Sequence, residues 1–270
     1  MNNLRVNLIE KEAKEFRKIC SSDNYGIIDI FDSCEKNGYR MIRFPLEDDA
    51  LLGFSQIRDG ENIIFSNSSQ ILSREIFTVA HEIGHHILGH VNDTNSMIKD
   101  IGAFGSNEIE TEAHYFAASL LVPEELLLLF IHKELNDKKN EIWKALDVAK
   151  VQTAFNVSYD MILNRMQAIK CISDDVYKRL KNDKLEISVS SLLKIIDGND
   201  DLCKPSLDRR VPAEYLTWVI ENYNMKLIPK ETIEKAFSYF NCDLSSVIQE
   251  PDSGCDKQPD NIDDLLGGLD

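Results

Sequence analysis

His81-Glu82-Ile83-Gly84-His85 is the stretch whose reading decides this chain. On a helix, at 100° per residue, His85 stands about 40° around from His81 and one turn along, so both imidazoles can reach one tetrahedral ion at about 2.0–2.1 Å. Glu82 lies about 60° beyond His85, beside the position such an ion leaves open. Two histidines with a carboxylate beside them are the hardware of a zinc hydrolase, the glutamate serving as general base. A plain amphipathic core helix accounts for Phe77, Val79, Ala80, Ile83, Ile87 and Leu88, but not for the histidines. Four of the six histidines in the chain fall between His81 and His90, and that clustering favours a metal.

Upstream, residues 7–20 and 27–34 have helical spacing, the second stopping before Asn37-Gly38. The period then changes to that of strands: 39–44 runs into Pro45, 51–57 into Asp59-Gly60, and 61–65 into Ser66-Asn67, with Arg58-Asp59-Gly60-Glu61 marking a hairpin. The motif helix is expected from Ser73, as its cap. Downstream, 91–105 reads as a loop over one side of the site. Asn107 then caps a helix with Glu110 in the capping position, and Ala113, Phe116, Ala117, Leu120 and Leu121 form its buried stripe up to Pro123. Further helix is expected over 123–130 and 142–168, with weaker helical character to Leu202 and two amphipathic patterns between Pro205 and Ile248.

The formal charge of the 270 residues is −16, and no basic patch offsets it. A phosphate-reading surface is therefore disfavoured, and the faint helix-turn-helix look of 148–168 does not outweigh that. No stretch approaches 18 consecutive apolar residues and the start lacks the apolar core of a secretory signal, so a cytoplasmic protein without membrane association is expected. Cys20, Cys34, Cys171, Cys203, Cys242 and Cys255 form no CxxC pair, which suits free thiols in a reducing compartment. Residues 250–270 carry seven acids against Lys257 alone, with glycine and proline interspersed, and read as a disordered acidic tail.

A catalytic zinc site needs a third protein ligand and an open fourth position. A third histidine in the frame HExxH-x-x-G-x-x-H fails here, because Leu88 and Val91 stand where glycine and histidine belong, and His90 points about 180° from His81 on the helical wheel. A glutamate from the next helix remains. Glu108, Glu110, Glu112 and His114 are its donors, with Glu112 bordering the buried stripe and Glu110 expected in the cap.

The blocks Phe77-Thr78-Val79-Ala80-His81-Glu82-Ile83-Gly84-His85 and Glu110-Thr111-Glu112-Ala113-His114-Tyr115-Phe116-Ala117-Ala118-Ser119-Leu120-Leu121-Val122-Pro123 resemble those of the ImmA/IrrE family of metallopeptidases. The resemblance covers roughly residues 20–170, with Val122 in place of the usual methionine and His114 where the family often has asparagine. It implies an α+β fold: a zincin-like core over 1–170, with helices on a small three-stranded antiparallel sheet, followed by a helical region over 171–249 that docks substrate or regulates. It implies zinc on His81, His85 and the glutamate of the EA pair, Glu112. Manganese or iron suits a His/His/Glu set as well, because selectivity rests on geometry and availability. Zinc lowers the pKa of its water to about 7, and Glu82 takes the proton and passes it to the leaving amine. His86, His114, Tyr115 and Tyr159 are candidates to stabilise the oxyanion, and Glu108 to orient a ligand. The implied function is cleavage of a specific protein, usually a helix-turn-helix repressor of a mobile element, phage or stress regulon, which relieves repression. The alternative is a non-catalytic anti-repressor or toxin–antitoxin partner that sequesters its target. Glu82, which is not a ligand, argues against that alternative.

Overall fold

The turn at Asp59-Gly60 organises the sheet. Both residues adopt positive φ, 52° and 80°, as a two-residue hairpin turn requires. They join β2 (Gly53–Arg58) to β3 (Glu61–Asn67) in antiparallel register, Phe54 opposite Phe65. The computed structural model describes residues 1–47, 51–91, 98–100, 108–138 and 142–240, with backbone alone for 98–100 and Ala213. Within them β1 (Tyr39–Phe44) lies beside β3 and parallel to it, Met41 opposite Ile64, and β4 (Ile98–Asp100) pairs antiparallel with β2. The sheet is therefore four-stranded and mixed, ordered β1-β3-β2-β4, where three antiparallel strands were expected. β3 is buried without interruption from Ile64 to Asn67, the pattern of a central strand with partners on both edges. β4, only three residues long, is too short to show a period.

The helices α1 (Asn3–Ile19), α2 (Ile30–Lys36), α3 (Leu72–Ile87), α4 (Glu108–Leu121) and α5 (Glu124–Glu134) share one core, in which Ile9, Phe16, Ile83, Phe116, Leu120 and Leu127 are buried. α3 carries the HExxH residues and crosses α4 where Gly84 meets Ala113. A Cβ at Gly84 would lie 3.0 Å from the Phe116 ring and 3.3 Å from the Ala113 backbone. Glu108–Glu134 is long and apolar enough to cross a membrane by length and composition alone; Pro123 divides it into α4 and α5, whose apolar residues contribute to the core.

Ser73 does not cap α3; it is buried inside the first turn, and Ile71 is the cap residue without a side-chain bond. The Leu72 N–H instead donates to the Lys204 carbonyl at 2.8 Å. Residues 204–210 form a strap along β1 and the start of α3, bridging Ile71 to Pro205 and Arg43 to Arg210. Beneath it Arg43 donates to both oxygens of Glu75 on α3, at 2.9 and 2.8 Å, and to Asp208 at 2.6 Å, with its guanidinium 3.6 Å from the centre of the Phe31 ring. Ser66 on β3 completes the network by donating to Glu75 at 2.8 Å.

The helix expected over 142–168 is broken into α6 (Ala145–Phe155) and α7 (Tyr159–Ala168) by Asn156, whose φ is 54°; Ser158 caps α7, its side chain accepting from the Met161 N–H. α8 (Asp174–Glu186), α9 (Val189–Ile195) and a 3-10 turn, Asp200–Cys203, follow. Leu180, Leu192 and Leu193 are fully buried in the same core, so the first compact unit is Met1–Pro212 and does not end near residue 170. The second unit, Ala213–Asp270, contains α10 (Ala213–Asn224) and α11 (Lys230–Tyr239). The Asn107 cap, the body of the 91–105 loop and the acidic tail lie outside the described residues.

Candidate metal centre

α3 delivers His81, Glu82 and His85 into the core, all three at most 1 % exposed. Their burial demands partners, since an imidazole or carboxylate without one is costly in a dry interior. The His81 and His85 Nε2 atoms are 3.0 Å apart, and the Glu110 carboxylate lies 3.1 Å from the first and 3.5 Å from the second. His81 is the main reason the Glu110 carboxyl is held far below the usual carboxylate range. Glu110 is thus turned into the site, where the sequence placed it in the cap. His114, one turn further along α4, sets its ring 4.4 Å from that of His81 and donates its Nδ1–H to the Glu110 backbone carbonyl at 2.7 Å. His81, Glu110 and His114 offer ligand atoms within 4.8 Å of one another.

A divalent metal fits these groups. Tetrahedral ligands about 2.0–2.1 Å from zinc stand about 3.3 Å from each other, which the 3.0, 3.1 and 3.5 Å separations bracket. The donor set is two imidazoles and a carboxylate, a mixture that zinc, manganese and iron all accept. Glu82 is fully buried and lies along β2 at Gly53, where an added Cβ would come within 3.6 Å of its Oε1.

Glu112, the ligand implied by resemblance, stands elsewhere. Its oxygens accept from Arg5 Nε at 2.7 Å and Nη2 at 2.5 Å, and Oε2 is 3.0 Å from His90 Nε2. Arg5 is the main reason its carboxyl is pulled down to about 2. Glu110 and His114 are four residues apart and share one face of α4, whereas Glu112 is about 200° around from Glu110. That i, i+4 spacing, the same as His81 and His85, puts the two on one face of α4 but does not say which face meets α3.

His90 also returns to the site, against its position on an extrapolated helical wheel. α3 stops at Ile87, Gly89 takes a φ of 72°, and the Gly89 and His90 N–H groups donate back to the His86 and His85 carbonyls at 3.1 and 2.9 Å. This left-handed helix ending reverses the chain and brings His90 Nδ1 to 3.1 Å from His85 Nδ1. Of the four oxyanion candidates only His114 is at the centre. Tyr159 donates to the Leu180 carbonyl, Tyr115 to Glu10, and His86 faces Ile63 and Tyr39. Glu108 is exposed at the start of α4.

Residues 34–167 match the family model of a peptidase domain described as IrrE N-terminal-like. No curated protein matches the chain. The matched segment contains β1 to β3, all of α3 and α4, and every histidine and glutamate of the centre just described. Residues 34–167 thus carry the domain that marks the ImmA/IrrE family of metallopeptidases.

Proposed function

We propose that the protein is a metal-dependent endopeptidase, with zinc as its metal, that cleaves one specific cytoplasmic protein, a helix-turn-helix repressor, and so relieves repression. The observation that carries the reading is the buried group of His81, His85 and Glu110 within 3.5 Å of one another, next to a fully buried Glu82 on the same helix. His81, His85 and Glu110 hold the metal, and His114 stands beside them. When bound, the metal supplies Lewis acidity that polarises a peptide carbonyl and acidifies water. Glu82 accepts the proton of the attacking water and returns it to the leaving amine. His114 gives its Nδ1–H to the Glu110 backbone carbonyl, so its Nε2 is left as a lone pair that can accept a proton or a metal but cannot donate.

A site built only to stabilise the fold needs no carboxylate in the place of Glu82, which supports an enzyme over a sequestering protein. The test is incubation of the purified protein, with zinc, with the repressor encoded nearest its gene. Cleavage is expected, stopped by a chelator and reduced about 100- to 10,000-fold in Glu82→Gln, with repressor binding and zinc content retained. Derepression unchanged by Glu82→Gln would instead establish a sequestering protein.

A further inference from the structure

His85 is engaged through both ring nitrogens. Nε2 faces His81 and Glu110, while Nδ1 meets His90 Nδ1 at 3.1 Å. His90 in turn meets Glu112 through Nε2 at 3.0 Å, and Arg5 on α1 clamps both Glu112 oxygens. The order of these contacts fixes every proton. Glu112 is ionised and only accepts, so His90 must carry its proton on Nε2. His90 Nδ1 is then a bare acceptor, and His85 must be the donor at Nδ1. His85 Nε2 is left as a lone pair aimed at the metal centre. A histidine that binds metal needs this tautomer, and its orientation depends on the partner of the other nitrogen.

We propose that His90, Glu112 and Arg5 form a positioning relay that locks His85 as the Nδ1–H tautomer and presents its bare Nε2 to a divalent metal. The relay makes α1, far from the motif in sequence, a working part of the centre, and it gives Glu112 a role behind a ligand in place of a role as one. The inference rests on the metallopeptidase reading above. Arg5 keeps Glu112 anionic and fixed, the Gly89 reversal holds His90 at the end of α3, and both act on the metal only through His85.

The full-length protein, stripped and then titrated with zinc against a chromophoric chelator, tests the relay without recourse to activity. Wild type is expected to bind zinc and Glu110→Gln to lose it; if wild type binds none, or Glu110→Gln binds as wild type does, the metal reading itself fails. With that reading intact, His90→Phe and Glu112→Gln should each weaken zinc about 10- to 100-fold, leave the melting temperature of stripped protein near wild type, and alter the visible bands of the cobalt form. The double variant should be no weaker than the worse single one, because both changes cut one chain. Arg5→Gln, on the surface side, gives a smaller loss and serves if His90→Phe does not fold. Wild-type affinity in the His90, Glu112 and Arg5 variants would overturn the relay. So would complete loss of zinc in Glu112→Gln with none in His90→Phe, since Glu112 would then be a direct ligand.

Discussion

At the scale of the residue, what decides behaviour is which atom of a buried group has a partner. His86 is adjacent to His85 yet faces the other way, its Nε2 3.4 Å from the Ile63 carbonyl and its Nδ1 without a partner among the described residues. Burial pushes its pKa down to about 4. The folded protein thus favours the neutral ring: the contribution is complete above pH about 6.5 and is lost as pH falls toward about 4, on the order of 3 kcal/mol in all. Urea unfolding of chelator-treated wild type and His86→Phe at pH 7 and pH 4.5 should show a steeper loss of stability in wild type; parallel slopes would refute it. Gly53 is a second sensitive position. An added Cβ would meet the Thr78 methyl at 2.5 Å and the Phe65 carbonyl at 2.8 Å, so Gly53→Ala should cost about 1–3 kcal/mol by denaturant titration and displace α3 beside Glu82. At this scale the sequence was only partly legible. His81, Glu82 and His85 lie on one helix, so their spacing alone brings them together. The choice between Glu110 and Glu112 depends on how α4 is rotated against α3, and Gly84 against Ala113 sets that rotation through packing that no local pattern expresses.

At the scale of the element, α3 is held at both ends by chain that the motif does not contain. Its C-terminus is closed by Gly89, and its N-terminus by the Lys204 carbonyl and by Glu75 beneath Arg43. Glu75 is 1 % and Arg43 5 % exposed. Removing one member of such a pair strands the other charge, so Glu75→Ala should lower stability by about 3–5 kcal/mol, read as a shifted urea midpoint with an unchanged slope. An unshifted midpoint would show that Asp208 and Ser206 suffice for Arg43. The hairpin of β2 and β3 was legible because Asp59-Gly60 states its own turn. The parallel placement of β1 and the existence of β4 were not, because both depend on which strand edge is available after the hairpin has formed. Ser73 misled for a related reason: its type suits a cap, but a carbonyl from residue 204 already serves the first turn.

At the scale of the whole molecule, the first unit ends after Pro212 because α8 and α9 complete its core. Val176, Leu180, Leu192 and Leu193 are all buried there, and at about 1.5–3 kcal/mol each their burial is comparable to the about 5–15 kcal/mol that stabilises a whole domain. A chain ending at Pro212 should therefore keep the cooperative thermal transition of the first unit, and one ending at Ile172 should lose it. A cooperative transition in the shorter chain would place the boundary near residue 170 after all. α8 hid this role in sequence, since only Val176 and Leu180 of its 13 residues are buried. The strap has a further consequence during synthesis. Arg43 and Glu75 are 32 residues apart, but Asp208 follows Arg43 by 165. At about 5–20 residues per second, translation leaves the outer edge of β1 without its cover for about 10–30 s. For that interval the nascent chain presents an unpaired strand edge to its neighbours on the polysome, and only the arrival of residues 204–210 removes it.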